Sequence, residues 1–321
     1  MKLSVWLAGC VLLLLGCVPE RDDDESRVSA PRVIAIQMEP AEVGPRQRFT
    51  LRALYAGGDD ADLDWSFCTE QKPLSELGPI APSCLAPDGT GLGDPFGNGL
   101  EAAAAMPADA CRLYGPDRPP AKPGEPSGRP VDADPSGGFY QPISLFDYDQ
   151  GEASLFEARV ACSLPGVTRQ QFTEWTQRYV RNVNPSVDAI DVWRGDEVTP
   201  LDQNAAPLHV AAGEALELHV WTPACGTEVD DAAACGGAEP YLYFDLASRS
   251  LVTRTEALSA SWFASSGRYT EARSRLTAGD DGSLGVNTWT APDEPGPVTL
   301  WVVIRDDRGG VAWQRHVLEV E

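Results

Sequence analysis

The 321 residues carry 25 Lys+Arg against 48 Asp+Glu, a formal net charge of −23. So acidic a chain lacks the basic face that nucleic-acid phosphates require, which sets aside nucleic acid as a partner and a polybasic membrane patch as an anchor. Gly (30) and Pro (27) are abundant, long helical periodicity is scarce and apolar residues alternate in short runs, which predicts an all-β chain with many turns.

Residues 1–16 hold one basic residue, Lys2, followed by the apolar run Leu3–Gly16, the make-up of a signal peptide. The run falls short of the roughly 20 apolar residues that a spanning helix needs. It ends in Leu14-Leu15-Gly16-Cys17, which resembles the lipobox of bacterial lipoproteins. The resemblance implies cleavage before Cys17, a diacylglycerol on its thiol and a fatty acid such as palmitate on its new amine. Leu7-Ala8-Gly9-Cys10 fits the same local pattern but leaves too short an apolar stretch before it. Val18, where families with a retention rule would carry Asp, implies the outer membrane. Residues 17–31, with PERDDDESRVSAP after Val18, are predicted to be a lipidated Cys and an acidic, flexible tether, because such composition buries too little apolar surface to order itself.

The first domain is predicted at 32–182. Arg32–Glu39 places Ile34, Ile36 and Met38 on one face, Phe49–Tyr55 alternates, and Leu63, Trp65 and Phe67 give a third strand. This cadence, with a Trp on the third strand, resembles the start of an immunoglobulin-like sandwich. From 69 to 138 the chain is Pro/Gly-rich with few strand signals, and is predicted to be an irregular insert with a short helical turn near Glu101–Ala105. Strands resume at Tyr140–Leu145 and Ser154–Cys162, and a last one is expected over Glu174–Asn182, although GVTRQQFTEW has the start of a helix.

Asn182–Val187, NVNPSV, is predicted to be the linker to a second domain at 183–321. Its strands are expected at Val187–Trp193, Ala215–Thr222, Tyr241–Leu246 and Ser259–Ala264. Val298–Arg305 and Val311–Val320 then form a hairpin around RDDRGG, where Asp306 and Asp307 shape the turn. SWFASSGRY followed by NTWTAPDEPGPVTLWVVIRDDRGG is similar to bacterial immunoglobulin-like and PKD-type modules over Ser259–Glu321. Both domains are therefore expected to be immunoglobulin-like β-sandwiches.

Six cysteines follow Cys17, an even number in an exported chain and therefore a disulfide framework. Cys225 and Cys235 are alone in the second domain, and closing their short loop is worth about 3 kcal/mol on the chain-entropy model. Cys68, Cys84, Cys111 and Cys162 allow three connectivities. If Ser154–Cys162 is the antiparallel neighbour of the third strand, Cys162 lies at the far end from Cys68, which favours Cys68–Cys84 with Cys111–Cys162; a Cys68–Cys162 bridge would mean another strand order.

The sequence holds no HExxH, GxSxG, Walker A or GxGxxG pattern. His209, His219 and His316 stand alone and are expected to be structural, and no Cys lies beside a His, so no metal or cofactor site is predicted. The acidic groups Asp59-Asp60-Asp62-Asp64, Asp132-Asp134, Asp147-Asp149, Asp280-Asp281 and Asp306-Asp307 are expected to be solvated turns; DYDQGE lacks the third acidic position and the terminal Glu of a calcium loop. Trp65, Trp262, Trp289 and Trp301 lie on predicted strands and are expected in cores, against the alternative of a sugar-stacking platform. The expectation is a non-enzymatic lipoprotein of the outer membrane that binds, adheres or spaces, held by its lipid and meeting an unknown envelope protein or glycan. The alternatives are an envelope hydrolase or polysaccharide-modifying enzyme with a site in 69–138, and a calcium-dependent adhesion module.

Overall fold

A computed structural model describes residues 25–58, 61–70, 80–85, 93–116, 135–229, 235–279 and 282–321. Cys10, Cys17, the lipobox and the acidic residues Asp59, Asp60, Asp132, Asp134, Asp280 and Asp281 lie outside them.

The first domain is built from β1 (Arg32–Glu39), β2 (Glu42–Val43), β3 (Arg48–Ala56), β4 (Leu63–Cys68), β5 (Gly93–Asn98), β6 (Glu101–Ala105), β7 (Gly138–Asp147) and β8 (Glu152–Ala161). Two short helices join them, α1 (Ala110–Leu113) and α2 (Arg169–Arg178). One sheet runs β1-β3-β6 and the other β2-β8-β7-β4-β5. The ladders are antiparallel except that the two-residue β2 runs parallel to β8, so the first strand crosses between the sheets at the Glu39–Ala41 turn and closes both. That is the immunoglobulin-like arrangement. Alternation along the strands sends Met38, Phe49, Leu51, Trp65, Ile143, Leu145 and Val160 into one core, with Trp65 fully buried.

The second domain repeats the plan. It comprises β9 (Ala189–Arg194), β10 (Glu197–Pro200), β11 (Leu208–Val210), β12 (Ala215–Thr222), β13 (Pro240–Asp245), β14 (Ser250–Thr255), β15 (Ser259–Ala264), β16 (Arg268–Tyr269), β17 (Arg273–Arg275), β18 (Thr277–Gly279), β19 (Gly282–Thr290), β20 (Gly296–Arg305) and β21 (Val311–Val320). The sheets are β10-β9-β12-β19-β16, with β18 also on β19, and β11-β21-β20-β15-β17; β11 lies parallel to β21 as β2 does to β8. Trp262 and Trp289, both fully buried, fill the space between them with Leu216, Leu218, Leu300 and Val302. The hairpin β13–β14 is an insertion that forms a sheet of its own.

Three expectations give way here. Glu101–Ala105 is strand β6, not a helical turn: five residues are too few to sustain a helix, and pairing with β3 overrides the helical preference of alanine. Among the described residues, 69–138 therefore holds the pair of strands β5 and β6, with helical turns at Pro82–Leu85 and at α1. Glu174–Asn182 is not a strand. Thr168 and Gln171 form a capping box that starts α2, and Phe172, Trp175 and Tyr179 stack along one side of it. The tether also ends sooner than residue 31, since Ser26 and Val28 are buried.

The disulfides are Cys68–Cys84, Cys111–Cys162 and Cys225–Cys235. The neighbour assumed in favouring the first two is wrong, however: β8 is separated from β4 by β7 and runs parallel to β4, so Cys68 and Cys162 lie towards the same end of the sandwich. They are held apart by the intervening strand and by register, since Phe67 is level with Ile143 and Phe156, well before Cys162.

Candidate functional site

The feature of the molecule that its two domains make together is the joint between them. Its first part is apolar. Ala35, Leu54 and Ala56 on the outer face of β1–β3 pack against Trp301, Val303 and Val311 on the outer face of β20–β21, with Val28 added from the N-terminal segment. Trp301 was expected in a sandwich core. It faces out of its own domain, by alternation with Leu300 and Val302, and is buried by the other one. Arg52 lies 4.8 Å over the Trp313 ring at the rim of this contact.

The second part is polar and buried. β2 carries Glu42 next to the turn of β20–β21. One Glu42 oxygen accepts from Arg159 Nε at 3.0 Å and from the backbone N–H of Asn182 at 2.9 Å, and lies 3.5 Å from the Arg308 guanidinium. The other accepts from the Tyr179 hydroxyl. Both members of the Glu42–Arg159 pair are inaccessible to solvent. Arg159 also donates to Ser136 Oγ at 2.5 Å and to Tyr140 Oη at 2.9 Å. Gly138 makes room for it, since a Cβ there would lie 2.1 Å from the guanidinium carbon. Arg308 crosses to Glu256 at 3.2 Å, to the Val180 carbonyl at 3.0 Å, and stacks 4.9 Å over Tyr241.

The Asp306 carboxylate holds the turn as expected, accepting from the N–H groups of Arg308 (2.8 Å) and Gly310 (2.7 Å), and its other oxygen takes Asn182 Nδ2 at 3.2 Å. A Cβ at Gly310 would meet that oxygen at 2.1 Å. The predicted linker is thus part of the joint: Asn182 is 1% exposed, and Asn184 binds the Met38 carbonyl and the Val311 N–H. A third contact packs Trp175 and Leu164 near α2 against Leu242 and Phe244 of the β13 hairpin. An open groove of about 630 Å³ runs beside the joint between Val33–Ile36, Tyr140, Leu155, Phe156 and the Asp306–Asp307 turn.

Among the described residues, four buried acids, Glu42, Glu239, Glu256 and Asp306, face two buried guanidiniums, Arg159 and Arg308. Burial, reinforced by Asp306, pushes the Glu256 carboxyl up to about 9 against the pull of Arg308. Burial also raises Glu239, which has one oxygen without a partner among the described residues, and Asp307. A carboxyl that binds its proton more tightly when folded contributes stability that is full below about 4.5 and lost as pH rises through about 9. His316, lowered by burial, has the opposite sign but acts only below its ordinary 6.5. Folding stability, read from denaturant midpoints at fixed ionic strength, is therefore expected to fall between pH 7 and 9.5, and Glu256→Gln to flatten that fall.

The other residues singled out in the sequence are scattered. His209 is exposed beside Glu321, with 2.5 Å between Nδ1 and Oε1, and His316 is buried with Nε2 3.1 Å from Gln314 Oε1. His219 stacks on Trp193 at 4.7 Å, its Nε2 2.6 Å from Glu217 Oε1. Asp147 accepts from the N–H groups of Asp149 and Gln150 and so shapes the β7–β8 turn. No group of three or more His, Cys, Asp or Glu is placed to hold a metal among the described residues.

No protein-family model matches the chain, and no curated protein does. Among solved structures, Escherichia coli α2-macroglobulin activated by porcine elastase aligns at 11% identity over 92% of this chain and 22% of that one, with a TM-score of 0.22. A β-glycosidase from Bacteroides vulgatus aligns at 10% identity over 90% and 24%, with a TM-score of 0.23. The chain thus spans about a quarter or less of the length of these proteins, and similarities this low carry no argument for function.

Proposed function

We propose that the chain is a non-enzymatic lipoprotein of the bacterial outer membrane, held by lipid on Cys17, whose two sandwiches act as one rigid arm for binding, adhesion or spacing. The observation that supports it is the joint. Flexibly linked domains share small, wet contacts, whereas here an apolar sheet-on-sheet contact, a buried ion network and a packed linker all resist bending. Glu42 and Asp306 are taken up by guanidiniums, Asn182 and backbone donors, a structural use of charge. The acidic surface favours a neutral or cationic envelope partner, protein or glycan, and disfavours nucleic acid.

The anchor is tested directly. Cys17→Ser is expected to move the protein from the membrane to the soluble fraction and to abolish incorporation of labelled palmitate. Labelling that survives in this variant and vanishes in Cys10→Ser would place the anchor at Cys10 instead.

A further inference from the structure

The chain enters its first domain only after docking on its second. The Val28 N–H donates to the Ala264 carbonyl and the Ala264 N–H to the Ser26 carbonyl, each at 2.8 Å, so Arg27 forms a parallel bridge with the end of β15. Ser26 is 4% exposed and Val28 5%, the latter packed in the apolar joint. Arg32 adds two bonds, to the carbonyls of Glu25 (2.9 Å) and Arg27 (3.2 Å). Ser26 and Arg27 then line a broad cleft of about 1020 Å³ with Gly267, Arg268, Asp293 and Glu294, all at one end of the second sandwich.

We infer that this end of the second domain, with its cleft, faces the bilayer surface, so that the domain coded last lies nearest the membrane. The inference rests on the lipid anchor proposed above. From Cys17 to Ser26 a fully extended chain reaches at most roughly 30 Å, so the docked segment keeps Ser26, at the Arg27–Glu294 end, within that distance of the anchor. The eight residues of β12 carry the opposite end of the sandwich, where Asp188 N–H meets the Trp221 carbonyl, roughly 25 Å farther away. The partner is the phospholipid surface that holds the anchor; the cleft lies at that surface with Arg27 and Arg268 beside Asp293 and Glu294.

The test uses the full lipidated protein in phosphatidylcholine vesicles with a headgroup-attached quencher. The six cysteines of the described residues are paired, so an added Cys is the labelling point in Glu294→Cys or Asp188→Cys, both exposed positions. Quenching is expected to be roughly twofold or more stronger at 294 than at 188, given the length of the sandwich. Adding Val28→Lys, which should undock the segment, is expected to bring the two values together while palmitate labelling stays unchanged. Equal quenching at 294 and 188 in a protein that carries its lipid would overturn the orientation and leave the anchor standing. A protein that carries no lipid on Cys17 would overturn both, and fractionation of the same samples separates these results.

Discussion

Replacing Glu42 by Ala is expected to cost about 3–5 kcal/mol of folding stability, the range for breaking a buried ion pair from one side. The substitution removes the Glu42 carboxylate from the Arg159 guanidinium, which is inaccessible to solvent, strips the Asn182 N–H and the Tyr179 hydroxyl of their acceptor, and removes one of the carboxylates beside Arg308. Most of the loss comes from burying the Arg159 charge without Glu42 rather than from the net worth of the pair. The double variant Glu42→Leu with Arg159→Met is therefore expected to recover a large part of the loss, since two apolar groups of similar volume bury without a desolvation penalty. Guanidinium midpoints of Glu42→Leu, Arg159→Met and the double variant check this. A double variant as unstable as the sum of the singles would show that the two side chains act independently.

Much of the sandwich architecture can be read along the chain, because alternation with a period of two is a property of one strand at a time. Ala215–Thr222, Ser259–Ala264 and Val311–Val320 have the bounds that their alternation predicts, and so does Arg32–Glu39, although a bulge between Val33 and Ala35 turns Ile34 off the Ile36–Met38 face and into the joint. Of β19 only Trp289 was placed on a strand; its extent was hidden, for Gly282, Gly285 and Asn287 interrupt its apolar pattern although Ser283–Thr290 pairs with β12. β6 and α2 were misread because a tertiary pairing decided one and a capping box the other.

The joint was not legible in the same way. Glu42 and Arg159 are 117 residues apart, Glu42 and Asn182 140 apart, and neither pairing leaves a local motif. Alternation tells which residues share a face and is silent on which outer face meets another domain. One signal was present. β20 is apolar on both sides, with Val298, Leu300, Val302 and Ile304 on one and Trp301 and Val303 on the other, as expected of a strand covered on both faces.

That double coverage sets apart the tryptophans of the second domain. Trp262 and Trp289 fill its core, whereas Trp301 is buried by the first domain. Trp301→Ala is expected to cost about 3–5 kcal/mol, the usual range for deleting a buried large aromatic side chain. The loss should fall on the coupling between domains, because Leu300 and Val302 on the inner face are untouched. A joined molecule that unfolds in one thermal transition should then show two, or one broadened transition, with the second sandwich retaining its own heat of unfolding. Trp262→Ala is the matched control. It opens a cavity beside Tyr269 inside the second sandwich and is expected to lower the transition of that domain itself. Calorimetry of the two variants separates the cases. If Trp301→Ala and Trp262→Ala give the same single, shifted transition, the two sandwiches unfold as one core and the joint is no weaker than the interiors it connects.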